Sequence, residues 1–219
     1  MNINKKKNIN EIPTFQIITL GETGVGKTSM IKRYVYDTFD FNNIATVGLS
    51  FSFKDITLKN NALIKIKLVD TGGQEKYRSL CKSYFKNSNG VLFVYAKNNQ
   101  YSFDRIKDWI AMFNENSNGK KDIPIFLVES KDDLERVVDE VLSENFAKEN
   151  KFIFKKISCC KDNNSVNELF SEMGELLYKY YVQYNKKNFK QTGVKLNENE
   201  KKKKSQCCLF KNELDNDIY

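Results

Sequence analysis

The sequence predicts an α/β fold: a six-stranded, mostly parallel sheet with one antiparallel edge strand and helices on both faces. Three observations carry this expectation. Apolar, β-rich runs alternate with amphipathic segments along most of the 219 residues, as in chains that wind βα units into a parallel sheet. Two of the runs are separated only by Lys59-Asn60-Asn61, which forces a hairpin and so an antiparallel pair. Gly21-Glu22-Thr23-Gly24-Val25-Gly26-Lys27-Thr28 fits G-x-x-x-x-G-K-[ST] between an apolar strand and a helical segment, the setting of a phosphate-binding loop.

In chain order, strands are expected at 15–20, 50–58, 63–70, 90–96, 123–128 and 152–158. The amphipathic segments, with apolar residues three and four apart, lie at about 27–36, 75–85, 102–114, 136–148 and 166–184. Residues 1–13 read as a flexible Asn/Lys-rich arm and 14–185 as the folded domain. From about Asn185 the periodicity fades, so 186–219 read as a basic, hypervariable tail whose first part is a disordered linker ending near Gln206.

Composition excludes several chemistries. The chain has no histidine, so no imidazole serves as acid, base or metal ligand. Its five cysteines are Cys81 alone and the adjacent pairs Cys159-Cys160 and Cys207-Cys208, poor geometry for a disulfide framework and without zinc-site partners. No apolar run reaches membrane-spanning length, and the arm lacks the apolar core of a signal peptide, so the chain reads as cytosolic. The net charge of +8 is concentrated in the tails and scattered surface lysines, without the basic-aromatic interleaving of a nucleic-acid binder.

In the phosphate loop, glycines let backbone N–H groups crowd phosphate oxygens at a helix N-terminus. Lys27 is expected to bridge the β- and γ-phosphates, and the Thr28 hydroxyl, next to Ser29, to ligate Mg²⁺. An ATPase, a kinase and a GTPase would all use such a loop. Asp70-Thr71-Gly72-Gly73-Gln74-Glu75 follows an apolar strand, where a second Mg²⁺-linked carboxylate belongs. There Asp70 is expected to hold the metal through water, the Gly73 amide to reach the γ-phosphate and Gln74 to orient an attacking water. Ser130-Lys131-Asp132-Asp133 also follows a strand. A carboxylate at Asp133 accepts from both N1–H and the exocyclic amine of guanine, a donor pair that adenine lacks, and this selects GTP and GDP.

On these motifs the chain resembles the Ras-superfamily small GTPases, most closely the Rab family, from about residue 15 to 184. Thr46, followed by Val47-Gly48-Leu49-Ser50-Phe51, looks like the switch I threonine and the Rab-type Ile-Gly-Val-Asp-Phe segment. Asp70 to Glu75 resembles Asp-Thr-Ala-Gly-Gln-Glu, while Tyr84-Phe85-Lys86-Asn87 and Phe93-Val94-Tyr95 echo two further Rab stretches. The resemblance implies the P-loop NTPase fold of small G proteins and a monomeric GTP/GDP switch in vesicle traffic. It further implies Thr46 on Mg²⁺ in the GTP state, Phe39 against the guanine face, and an effector surface of Phe51, Val69 and Tyr84. Exchange factors, effectors and a GTPase-activating protein are the implied partners. Arg78 then reads as a switch II surface residue, with the catalytic arginine supplied in trans.

Several residues depart from the family pattern. Ser130 stands where Asn is usual, which weakens the expected grip on guanine. Ile157-Ser158-Cys159-Cys160-Lys161 replaces Glu-Thr-Ser-Ala-Lys, leaving backbone N–H groups to meet the base. Gly72 replaces Ala, Val69 replaces Trp, and Thr23 adds bulk beside the γ-phosphate, which predicts slow intrinsic hydrolysis. Together these leave an alternative open: a guanine-nucleotide-binding module that does not hydrolyse GTP. Cys207-Cys208, after the lysines at 201–204, resembles a doubly prenylated Rab terminus on the cytosolic face of an endomembrane, yet eleven residues follow. Prenylation, S-palmitoylation and no lipid are three readings of that pair.

Overall fold

The computed structural model describes residues 12–41, 46, 48–72, 78–118, 123–161 and 163–191, excluding the side chains of 78–81 and 186–191. The expected arm, Val47, Gly73, Gln74 and the tail with Cys207 and Cys208 lie outside the described residues. The chain separates into two units, Met1–Tyr180 and Tyr181–Tyr219.

The first unit holds one six-stranded sheet ordered β2-β3-β1-β4-β5-β6. Its strands are β1 (Thr14–Leu20), β2 (Leu49–Thr57), β3 (Leu63–Thr71), β4 (Gly90–Ala96), β5 (Ile125–Ser130) and β6 (Ile153–Lys156). Only β2 runs antiparallel, paired with β3 from Leu49↔Thr71 to Thr57↔Leu63, as the short turn requires. The helices are α1 (Lys27–Tyr36), α2 (Arg78–Phe85), α3 (Gln100–Asp104), α4 (Ile106–Asn116), α5 (Glu140–Glu149) and α6 (Asn164–Gln191). β4 is buried along its whole length, as a central parallel strand covered on both faces must be. Ile18, Leu20, Phe93, Phe113 and Trp109 form part of one buried cluster with it.

β1 lies between β3 and β4. The chain therefore turns to one side of β1 for β2 and β3 and to the other for β4 to β6. Such a switch point opens a crevice at the carboxyl ends of the strands, where ligands bind in open α/β sheets.

Four expectations need correction. The helix foreseen at 102–114 is two helices broken at Arg105, α3 being capped where the Asn99 side chain accepts from the Ser102 N–H (3.1 Å). The helix foreseen from residue 136 starts at Glu140 because Asp139 caps it, its carboxylate accepting from Val141 N–H (2.8 Å). The fifth strand ends at Ser130, not Val128, because Glu129 and Ser130 still pair with Tyr95 and Ala96. The linker expected from Asn185 is helical as far as Gln191, since lysine and glutamine favour helix and no Gly or Pro intervenes.

Glu129, a polar residue that suggests a strand end, is tolerated inside the sheet because it is satisfied. It is fully buried and takes Arg136 through two hydrogen bonds (2.7 and 2.9 Å), with Tyr95 OH donating to it at 2.7 Å. Burial pushes the Tyr95 phenol well above its ordinary pKa. Arg136 also donates to the Val138 carbonyl (3.0 Å), so this pair anchors the loop between β5 and α5. Removing one partner of a buried ion pair leaves an uncompensated charge. Because Arg136 is partly exposed (27%), Arg136→Ala is expected to cost about 3 kcal/mol, the lower end for such losses, read by denaturant unfolding. Arg136→Lys should cost less, since a charge remains.

Candidate functional site

The phosphate loop follows β1 directly and meets the sheet at Gly21. Its φ is +150°, and a Cβ there would lie 2.1 Å from the Val94 carbonyl oxygen, so no side chain fits between the loop and β4. The loop ends at Gly26, the left-handed N-cap of α1 with φ +98°, a conformation that glycine adopts readily. Between them Lys27, 5% exposed, folds back and donates from Nζ to the Gly21 and Glu22 carbonyls, both at 2.8 Å. The ammonium is thus held over the mouth of the loop.

A cavity of about 350 Å³ opens there, within the range of small-ligand sites. On the phosphate side it is lined by Thr23, Gly24, Gly26, Lys27, Thr28 and Ser29, as expected. Phe39, Thr46, Ser130, Lys131, Asp133, Cys159 and Cys160 are the other expected residues in the lining, brought to the phosphate loop from three further connections. Gly21, Glu22, Val25, Asp70, Ser158 and Lys161 do not line it. Asp40, Phe41, Thr71 and Leu134 also line it. Sequence reasoning missed them because they neighbour motif residues without a fixed motif position of their own.

On the metal side, the Thr28 hydroxyl donates to Asp70 Oδ2 at 2.7 Å and lies 2.5 Å from the Thr46 hydroxyl. Asp70 Oδ1 is buried and accepts no hydrogen bond among the described residues. Burial raises the Asp70 pKa, opposed by the Thr28 hydrogen bond and the Lys27 charge. Two hydroxyls and one carboxylate with an unused oxygen fit Mg²⁺, which takes few protein oxygens and leaves positions for phosphates and water.

On the base side, Asp133 Oδ1 accepts from Ser158 Oγ at 2.6 Å, and the Lys161 N–H donates to that same Oγ at 3.2 Å. Ser158 therefore aims the carboxylate and ties the two base loops together. Ser130 acts as a fastener: its hydroxyl lies 2.5 Å from the Val25 carbonyl and 2.9 Å from that of Tyr95. It joins the phosphate loop to β4 and β5, and it is 1% exposed. Phe39 meets Phe41 edge-on at 4.8 Å between ring centres, with the Arg33 guanidinium 5.9 Å from its own.

One expected surface residue is overturned. Val69 is fully buried, so it offers nothing to a partner. It pairs with Phe51 across the hairpin, and a side chain this short stays beneath its neighbours. Phe51, 42% exposed, packs on Tyr84 at 5.3 Å, and Lys67 Nζ lies 4.7 and 5.6 Å from the two ring centres. An aromatic pair capped by a cation takes the place of the expected triad.

Cleft, loops and carboxylates define a purine-nucleotide-binding protein of the P-loop class. The Ras family model matches residues 16–179. Among curated relatives, the chain is 35% identical to Ras-related protein Rab-11B of Dictyostelium discoideum over 74% of this chain and 73% of that one. It is 34% identical to Ras-related protein SEC4 of Saccharomyces cerevisiae over 74% of each, and 33% identical to Ras-related protein Rab-5B of Plasmodium falciparum over 80% and 82%. The chain belongs to the Ras family, and it is a Rab-like small GTPase of membrane traffic. Its relatives lend no support to the non-hydrolysing alternative.

Glu22 was expected to serve the nucleotide, yet its carboxylate points away from the cavity. It accepts from the Trp109 indole N–H at 3.0 Å and lies 3.8 Å from Arg105 Nε, while its carbonyl holds Lys27. Glu22→Ala is expected to speed nucleotide release about tenfold, the equivalent of one charge-assisted hydrogen bond, with Glu22→Gln intermediate, measured by stopped-flow displacement of a fluorescent nucleotide. Both cysteines line the cavity, but Cys160 is half-buried, whereas Cys159 is buried and that burial pushes its thiol up to about 12. Saturating GDP is therefore expected to shield Cys160 from alkylation, with Cys159 inert in both states, resolved by peptide mass spectrometry.

Proposed function

We propose that the cavity binds GTP and GDP with Mg²⁺ and that the chain hydrolyses GTP slowly, awaiting an activating protein. The observation that carries this reading is the convergence of Lys27, the Thr28–Thr46–Asp70 cluster and Asp133 on one cleft. Thr28, Thr46 and Asp70 would hold the metal, which supplies positive charge against the β- and γ-phosphates. Lys27 and the loop amides would stabilise charge on the phosphoryl oxygens as the bond to the leaving diphosphate breaks. Gln74, by its place in the motif, would orient the attacking water. Thr23 stands exposed at the cavity wall, where its methyl group would crowd that water and keep the basal rate low.

Function then resides in the state of two loops. With γ-phosphate present, contacts at Thr46 and Gly73 would order them, and hydrolysis would release them. Effectors would read the ordered surface beside Phe51, Lys67 and Tyr84, and an exchange factor would reopen the cleft. Among the described residues no helix is long and apolar enough to cross a membrane. Attachment to the cytosolic face of an endomembrane would accordingly run through the tail, with Cys207 and Cys208 as the lipid-bearing candidates.

Calorimetry with Mg²⁺ is expected to show guanosine nucleotides bound at least about a hundredfold more tightly than adenosine nucleotides, from the unpaired Asp133 that adenine leaves. Lys27→Ala should abolish tight binding, and Gln74→Leu should lower single-turnover hydrolysis while binding persists. Equal affinity for both purines would overturn the reading.

A further inference from the structure

α1 ends beside an arginine that reaches both walls of the base pocket. Arg33 stands in the last turn of the helix, and the Asp37 N–H closes that turn on the Arg33 carbonyl at 3.1 Å. Its side chain, only 15% exposed, donates from Nε to the Cys159 carbonyl at 2.9 Å. Its Nη1 donates to the Asp37 carbonyl at 3.2 Å and to the Asp37 carboxylate at 3.3 Å. The same guanidinium lies 5.9 Å from the centre of the Phe39 ring, within reach of a cation–π attraction. Asn163 Nδ2 donates to the Asp37 carboxylate at 3.0 Å, so the connection that follows β6 is tied to the end of α1 at two points.

Stability alone does not account for this arrangement. Asp37 is 66% exposed, and an exposed ion pair one helical turn apart contributes little. The bond to Cys159 has a directional consequence instead. The peptide is trans, so its carbonyl and the N–H of the next residue point in opposite directions. Because Arg33 holds the Cys159 carbonyl, it turns the Cys160 N–H away from itself. Cys160 lines the cavity together with Asp133 and Phe39. On the preceding residue, Ser158 Oγ donates to Asp133 at 2.6 Å and the Ser158 N–H donates to Ser165 Oγ at 3.3 Å. The peptide between Cys159 and Cys160 is thus held from both sides.

We propose that Arg33 is a positioning residue for guanine recognition: by holding the Cys159 carbonyl it presents the Cys160 N–H to the carbonyl oxygen of the base, while its guanidinium steadies Phe39 against the face of the ring. This rests on the reading of the cavity as a guanine-nucleotide site. Lysine is no substitute, because an ammonium lacks the planar fork that meets Cys159 and Asp37 at fixed angles.

The test uses the full chain loaded with GDP or with thioguanosine diphosphate, in which sulfur, a weak acceptor, replaces that oxygen. Release of each is timed by stopped-flow exchange against excess fluorescent GDP. Wild type is expected to hold GDP longer than the thio analogue. Arg33→Ala should release GDP about tenfold faster, the equivalent of one charge-assisted hydrogen bond, and should lose most of its preference between the two. Arg33→Lys should fall between. Chelating Mg²⁺ should speed release by the same factor in wild type and in both variants, since Thr28, Thr46 and Asp70 are untouched and effects of independent sites multiply; a general loosening of the fold would change that factor as well. The proposal is overturned if Arg33→Ala releases GDP at the wild-type rate, if its preference for GDP is undiminished, if the chelation factor collapses, or if wild type holds both nucleotides equally. Should Arg33→Ala fail to fold, Arg33→Lys decides by the same criteria. A wild type that binds no guanine nucleotide overturns the underlying reading and this proposal with it, whereas the other negative outcomes leave that reading standing.

Discussion

The contact between Gly21 and the Val94 carbonyl is the constraint from which the site is built. Because nothing larger than hydrogen fits there, the phosphate loop leaves β1 flush against β4, and α1 follows from its N-cap at Gly26. The alignment of Lys27, Thr28 and Asp70 then follows from sheet register: β1 is hydrogen-bonded to β3 on one side and β4 on the other. Ser130 fastens the same loop from the far side through the Val25 carbonyl, so phosphate and base halves of the cleft share one support. A shift of that support would displace both halves together.

The sequence revealed the parts that chemistry fixes by residue type. Six strands, the hairpin and the phosphate loop were legible because alternation, a three-residue turn and glycine spacing leave few alternatives. Boundaries were legible only where local signals act alone. Glu129 looked like a strand end and is instead interior, because Arg136 and Tyr95, remote in pattern if not in space, neutralise it. Val69 occupies a motif position whose usual occupant is large, and its burial depends on size, which no motif match reports. Ser158 was placed at the base but not as the group that aims Asp133, since a hydroxyl in a loop carries no spacing signature. The helix beyond Asn185 was hidden because its pattern lacks the core-facing stripe by which helices are recognised.

The departures from the family pattern appear in a different light once placed. Ser130 makes hydrogen bonds that tie the phosphate loop to the sheet, so a residue placed by its motif position is also a scaffolding residue. Lys67, set over Phe51 and Tyr84, puts a positive charge on what is otherwise an aromatic patch.

Trp109 is the sole tryptophan of the chain, and its indole N–H is bonded to the phosphate loop through Glu22. Indole emission responds to charge and polarity at the ring, and here the ring is bonded to the side chain of the residue whose carbonyl holds Lys27. The molecule thus carries a native optical gauge of its own loop, readable without label or fusion.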